Sequence, residues 1–127
     1  MKRGILIAAL LLSPLAAHAQ RMSKITGGEL LSICSASQFS NAKVQNCEAY
    51  LDGVADTVAG FMRFGPKDAH GKPLENEICI PPAVTAKDLR LGVIKALHQQ
   101  PNLQARLAVE AVHRIFHQIY PCNGSQF

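Results

Sequence analysis

Four cysteines are distributed along the sequence, and all of them lie beyond an N-terminal segment that is typical of an export leader: Cys34, Cys47, Cys79 and Cys122. In that segment Lys2 and Arg3 precede an apolar run, and residues 17–19 (Ala-His-Ala) match a cleavage site. An even number of cysteines in a small exported chain predicts two disulfides. Zinc binding is the alternative, but the sequence has no Cys-x-x-Cys pair and export disfavours it.

The leader also predicts where the protein acts. Its apolar run, from Gly4 to Leu15, is shorter than the roughly 20 residues that span a bilayer. We therefore expect residues 1–19 to be a cleaved signal peptide and residues 20–127 to form a single domain. Gln20 follows the expected cut, where a lipid anchor would need cysteine. The expected location is the periplasm, with no membrane attachment after cleavage.

The charge balance gives little support for nucleic-acid binding. The sequence has 13 Lys and Arg against 9 Asp and Glu, a formal net charge of +4. Since Lys2 and Arg3 leave with the leader, the mature charge falls by two. There is no Trp, and no basic cluster with interleaved aromatic residues.

The same helix-start signal occurs twice. Thr26 with Glu29, and Thr85 with Asp88, have the spacing of a capping box, in which hydroxyl and carboxylate each accept from a backbone N–H of the other residue. Two prolines, Pro81-Pro82, precede the second signal and cannot lie inside a helix. Thr85 and Asp88 are therefore assigned a structural role, at the start of a helix that extends to about Gln99.

A long helix is predicted from Asn41 to Phe64. Its inward-facing residues recur at spacings of three and four, as one face of an α-helix requires: Val44, Cys47, Tyr50, Leu51, Val54, Val58, Phe61 and Met62. Small residues form a stripe beside that face: Ala49, Gly53 and Gly60. The stripe indicates that another backbone approaches closely, either an internal helix or a second subunit.

A fourth helix is predicted to begin at Pro101, because proline suits a first helical turn, and to end before Pro121. The predicted fold is all-α: a small domain of four helices in two helical hairpins. Antiparallel hairpins bring Cys34 next to Cys47, and Cys79 next to Cys122. We therefore expect the domain to be stapled by disulfides 34–47 and 79–122.

The segment between Phe64 and Ile78 is the candidate partner-binding loop. It is long and polar, and contains Gly and Pro rather than helical periodicity. Its candidate contact residues are Lys67, Asp68, His70 and Lys72.

Catalytic and metal sites are the less favoured interpretations of the polar residues. His113 and His117 have the i,i+4 spacing of a metal-binding pair, but Arg114 stands where a zinc-protease motif has Glu, and a solvated helix face explains both histidines. Asp52 and Asp56 could form an acid–base pair, but exposure on an acidic helical face is the favoured explanation. Asp56 could instead pair with a nearby arginine, Arg90 or Arg63, in a structural role. We expect no catalytic residue, metal or cofactor.

Four motifs resemble one known family: GELLSIC ending at Cys34, CEAYLDGVAD from Cys47 to Asp56, CIPPAVTAKDL from Cys79 to Leu89, and YPC ending at Cys122. Over about Thr26 to Cys122 the chain is similar to the Tai-type immunity proteins of type VI secretion amidases. The resemblance implies a helical periplasmic protein, often a homodimer, that binds a cognate peptidoglycan amidase effector and occludes its active site. It also implies that the protein performs no chemistry itself.

Two other classes remain as alternatives. A periplasmic stress chaperone would expose apolar surface in acid and bind a hydrophobic dye at low pH. An enzyme or metal-delivery protein would use the His113/His117 face and retain metal through purification. Without a toxin partner, the chain would be an orphan helical binding protein. No motif distinguishes either.

Overall fold

The computed structural model describes residues 23–37, 40–73 and 78–122, and within these ranges the chain is helical. The helices are α1 (Gly27–Cys34), α2 (Asn41–Phe64), α3 (Ala86–Gln99) and α4 (Ala108–Ile119), with a 3₁₀ turn at Pro101–Leu103. No β-strand occurs in these ranges, and the β-bridges are isolated. The all-α fold is confirmed. The leader expected at residues 1–19 lies outside the described residues.

Both predicted capping boxes are formed. The backbone N–H of Glu29 donates to the Thr26 hydroxyl over 3.2 Å, and the N–H of Thr26 donates to the Glu29 carboxylate over 2.7 Å. The corresponding distances between Asp88 and Thr85 are 3.2 and 2.9 Å. Each box satisfies amides that a helix start otherwise leaves unpaired. The bounds predicted for α2 and α3 are also confirmed.

The predicted start of α4 is wrong. Pro101 opens the 3₁₀ turn, and α4 begins only at Ala108. Carbonyls between the 3₁₀ turn and α4 accept hydrogen bonds from the start of α1 instead. The Gly27 N–H donates to the Arg106 carbonyl and the Gly28 N–H to the Gln104 carbonyl, both over 2.9 Å. A helix that ran through these residues would use the same carbonyls for its own ladder. The start of α1 therefore sets the start of α4.

The core lies between the two hairpins. Helix α2 packs against α1 and α3, and α4 packs against α1. The buried apolar residues come from all four helices and their connections: Leu30, Cys34, Cys47, Leu51, Val58, Ile78, Leu89, Val93, Ala96, Leu97, Leu103, Ala108, Ala111, Val112, Ile115 and Phe116. In the described ranges no polar or charged residue is fully buried. No helix there is long and apolar enough to cross a membrane.

Both predicted disulfides are confirmed. Cys34–Cys47 joins the last residue of α1 to α2. Cys79–Cys122 joins the connection that precedes α3 to the residues that follow α4. Their sequence separations are 13 and 43 residues. On the chain-entropy model, loops of these lengths correspond to roughly 3 and 4 kcal/mol of stabilisation. That is substantial for a domain with so small a core.

One arginine links three helices. The Arg90 side chain, largely buried on α3, donates from Nε to Glu48 Oε1 over 3.0 Å and from a terminal nitrogen to the Cys34 carbonyl over 3.2 Å. The Cys34 carbonyl lies at the end of α1, where a helix leaves carbonyls unpaired. Arg90 thus pairs with Glu48 rather than with Asp56, which is exposed on α2.

The contact between α1 and the 3₁₀ turn predicts a sharp difference between two glycines. A Cβ at Gly27 would overlap the Leu103 carbonyl oxygen, whereas a Cβ at Gly53 would meet no atom within 4 Å. We expect Gly27→Ala to lower the free energy of unfolding by about 1–3 kcal/mol through overpacking. The control Gly53→Ala, measured on the monomer, should raise it by up to about 1 kcal/mol, because alanine favours the helix. Urea unfolding of the oxidised proteins measures both, and equal effects would contradict the close approach at Gly27.

The capping boxes predict a loss of stability in acid. Hydrogen bonds from the Thr26 backbone and hydroxyl lower the pKa of Glu29, and those from the Thr85 hydroxyl and backbone lower the pKa of Asp88. A carboxylate with a lowered folded-state pKa stabilises the fold above its unfolded-state value, and that contribution is lost as the pH falls through the folded-state pKa.

We therefore expect Glu29→Gln/Asp88→Asn to be less stable than wild type at neutral pH and to lose less stability in acid. Thermal unfolding from neutral pH to below the ordinary values of 4.5 and 3.8 measures the difference. Asp52→Asn, which removes an exposed carboxylate outside the caps, is the control. Parallel curves for wild type and the double variant would rule out the linkage.

Candidate functional site

The segment after α2 contains a closed turn rather than an irregular loop. Lys67 and Pro73 form an antiparallel bridge, and the Asp68 N–H donates to the Lys72 carbonyl over 2.8 Å. Gly71 has a φ of 77°, a left-handed conformation that costs glycine little. We call residues 67–73 the projecting turn. Residues 74–77 lie outside the described residues.

The projecting turn brings the four candidate contact residues together. Lys67, Asp68, His70 and Lys72 are all exposed. Asp68 differs from the other three in its contacts, because its Oδ1 accepts hydrogen bonds from the backbone N–H groups of His70 (2.8 Å) and Lys72 (2.9 Å). The turn therefore presents two lysines and a histidine around an aspartate that bonds to the turn's own backbone.

Both ends of the segment are fixed to the scaffold. On the α2 side, the Gly65 N–H donates to the Phe61 carbonyl over 2.7 Å, and a Cβ at Gly65 would overlap that carbonyl oxygen. On the far side, Ile78 is buried and forms a bridge with Pro121. The N–H of Cys79 donates to the Tyr120 carbonyl over 2.8 Å, next to the Cys79–Cys122 disulfide. The exposed turn thus begins two residues after Gly65, at a fixed helix end.

Sequence reasoning missed an aromatic residue beside the turn. Phe64, the last residue of α2, is 80% exposed, and the Arg63 guanidinium carbon lies 5.5 Å from the centre of its ring. Large exposed aromatics and arginines are enriched among residues that dominate binding energy. The available signal was that Phe64 falls off the inward face of α2, which ends at Met62. We call Arg63, Phe64 and the projecting turn together the α2 tip.

A second surface is an apolar groove of about 490 Å³ between α2 and α4. Helix α2 contributes most of its lining, with Val109 and His113 from α4: Ala49, Tyr50, Gly53, Val54, Thr57, Val58 and Phe61. Ser23 lies at its edge. Burial in this region raises the pKa of the Tyr50 phenol. The Thr57 hydroxyl donates to the Gly53 carbonyl over 2.8 Å.

The two explanations of the small-residue stripe, an internal helix or a second subunit, differ in what should lie close to it. A Cβ added at Gly53 or Gly60 would meet no atom within 4 Å, so no described helix of this chain approaches the stripe closely. None of the described helices therefore fits the internal-helix explanation. The second-subunit explanation stays a prediction.

A family model described as Rap1a immunity proteins matches residues 26–122. The chain belongs to the Rap1a immunity protein family. The match begins at the Thr26 cap and ends at Cys122, so it includes all four helices and both disulfides. No curated protein and no solved structure matches the chain. Membership in the Rap1a family, an immunity family of secretion systems, implies that the protein binds a cognate effector and inhibits it rather than catalysing a reaction.

His113 and His117 line one surface pocket of about 380 Å³ with Arg114, but Asp52 and Asp56 are not part of it. In this Rap1a-family protein His113 is half-buried at the edge of the groove, while His117, Asp52 and Asp56 are exposed. The described residues hold no group of three or more His, Cys, Asp or Glu side chains that could share a metal ion. The α2 tip and the groove are therefore the two surfaces that we consider for binding.

Proposed function

We propose that this Rap1a-family protein is a Tai-type immunity protein of the periplasm. It binds a peptidoglycan amidase delivered by type VI secretion and blocks the amidase active site. The observation that carries the proposal is the family match over residues 26–122, which coincides with the crosslinked helical scaffold. The motifs around the four cysteines support the finer, Tai-type assignment.

Two features support the periplasm as the site of action. Disulfides form and persist in oxidising compartments, and all four cysteines are paired in two disulfides. The sequence also begins with the charged, apolar and small-residue pattern of a signal peptide. An amidase that attacks peptidoglycan would meet its inhibitor in this compartment.

The α2 tip is the surface we propose for effector binding. An enzyme cleft is concave, so an inhibitor that occludes it needs a projecting segment. The projecting turn is exposed along residues 67–72 and follows the C-terminal end of α2, where the Gly65 N–H donates to the Phe61 carbonyl. A fixed base lowers the conformational entropy lost on binding. Phe64 supplies a large apolar anchor, which no side chain of the turn provides.

The groove is the surface we propose for self-association, with a second copy of this chain as its occupant. Its lining is apolar, and the small-residue stripe along α2 leaves space for another backbone. The homodimer implied by the resemblance to Tai-type proteins agrees with this arrangement. The α2 tip lies at the end of the same helix, so it remains available to the effector.

The proposed function is tested by a rescue assay. The product of the adjacent gene is exported to the periplasm of a host cell, with and without co-export of this protein, and lysis is followed by optical density. We expect lysis without the protein and survival with it. Co-expression of the same protein without its leader is the control and should give no protection, because inhibitor and toxin are then in different compartments. Lysis both with and without this protein would contradict the proposal. So would the absence of lysis when the product of the adjacent gene is exported alone.

The two surfaces make separable predictions. Phe64→Ala should weaken binding to the purified effector by about 2 kcal/mol or more, since it removes the central anchor, while stability changes by less than about 0.5 kcal/mol. Gly53→Glu should abolish the dimer, because it places a charge in an apolar interface, and leave the affinity of the tip almost unchanged. Calorimetry measures the affinity and light scattering the oligomeric state.

Leu91→Ala is the matched control for the tip, because Leu91 is an exposed apolar residue on α3, 49% accessible. Leu91→Ala should change neither the affinity for the effector nor the oligomeric state. If Phe64→Ala and Leu91→Ala bind equally well, the tip is not the effector site. A monomeric wild-type protein would exclude the groove as a dimer interface.

A further inference from the structure

We propose that Asp68 is the positioning residue of the projecting turn: its carboxylate holds the backbone in the shape that displays Lys67, His70 and Lys72 to the effector. This inference rests on the proposed function for its consequence in binding, and on the geometry of the free protein for the positioning itself. It reassigns Asp68, which the composition of the loop grouped with the contact residues.

Asp68 takes part in four hydrogen bonds within the described part of the turn. Its N–H donates to the Lys72 carbonyl (2.8 Å), and its carbonyl accepts from the Gly71 N–H (3.0 Å). Its Oδ1 accepts from the N–H groups of His70 (2.8 Å) and Lys72 (2.9 Å). A single carboxylate oxygen therefore binds two backbone amides on the opposite side of the turn.

The side chains of the turn are not part of the core. Residues 67–72 are all exposed, so none of their side chains is buried there. Gly71 has a positive φ, which the backbone adopts easily but does not impose on its neighbours. Asx turns of this kind order a short loop by replacing backbone–water hydrogen bonds with local ones. Without the carboxylate, the amides of His70 and Lys72 would lose their acceptor, and the turn would sample more conformations.

A positioning role and a contact role predict different substitution patterns. Asparagine keeps a side-chain oxygen at the same place and can accept the same two bonds, but it has no charge. If Asp68 positions the turn, Asp68→Asn should behave like wild type and Asp68→Ala should not. If Asp68 instead forms an ion pair with the effector, both variants should lose affinity.

The positioning is tested first on the free oxidised protein, by amide hydrogen exchange. In Asp68→Ala we expect exchange at the His70 and Lys72 amides to quicken about tenfold or more, since their acceptor is gone. In Asp68→Asn the rates should stay within about threefold of wild type. The Gly65 amide, which donates to the Phe61 carbonyl at the end of α2, is the internal control. Unchanged exchange in Asp68→Ala would overturn the positioning role.

The consequence for binding is tested with the purified product of the adjacent gene, inactivated at its active site. We expect Asp68→Ala to weaken binding about tenfold, through the ordering cost added to association, and Asp68→Asn to bind within about threefold of wild type. Equal losses in the two variants would overturn positioning in favour of direct contact.

A third variant separates this inference from the proposed function. Lys67→Ala/His70→Ala removes two of the displayed side chains but keeps Asp68, Lys72 and the backbone amides that Asp68 binds. We expect it to lose binding while exchange at positions 70 and 72 stays slow. If it binds like wild type, the turn is not the recognition surface, and the role of Asp68 in binding fails with it. The exchange result still decides whether Asp68 orders the turn.

Discussion

The Cys79–Cys122 disulfide is the constraint on which the exposed part of this protein depends. The polar segment after α2 has hardly any apolar residue before Ile78, so its position is determined by its ends. One end continues α2. The other end is bonded to the residues that follow α4, by the Cys79–Cys122 disulfide and by the hydrogen bond from the Cys79 N–H to the Tyr120 carbonyl. The ends of a segment that contributes almost no core residues are thereby held by the helical core.

Much of the scaffold could be predicted from the sequence because its signals are local. A Thr and an acidic residue three positions later form each capping box. The spacing of apolar residues predicts the bounds of α2. The geometry of helical hairpins predicts how the cysteines pair. The failures all involve residues distant in sequence. Carbonyls between Pro101 and α4 are used by α1, and Arg90 pairs with Glu48, 42 positions earlier.

The candidate site was predictable only in part, for the same reason. Composition located the polar segment but could not show that Asp68 bonds within the turn, because that depends on backbone geometry. Periodicity identified the stripe of small residues but could not say what faces it. The lining of the groove combines residues of α2 with Val109 and His113 of α4, and such a combination depends on how the helices pack.

The exposed side chains of residues 67–72 have a consequence for how such a protein can change. Substitutions at Lys67 or His70 remove neither core contacts nor the Asp68 side-chain bonds, which end on backbone amides that every residue except proline provides. The turn can therefore accept many different side chains without loss of folding. New specificities can arise at these positions one substitution at a time, each intermediate remaining a folded protein.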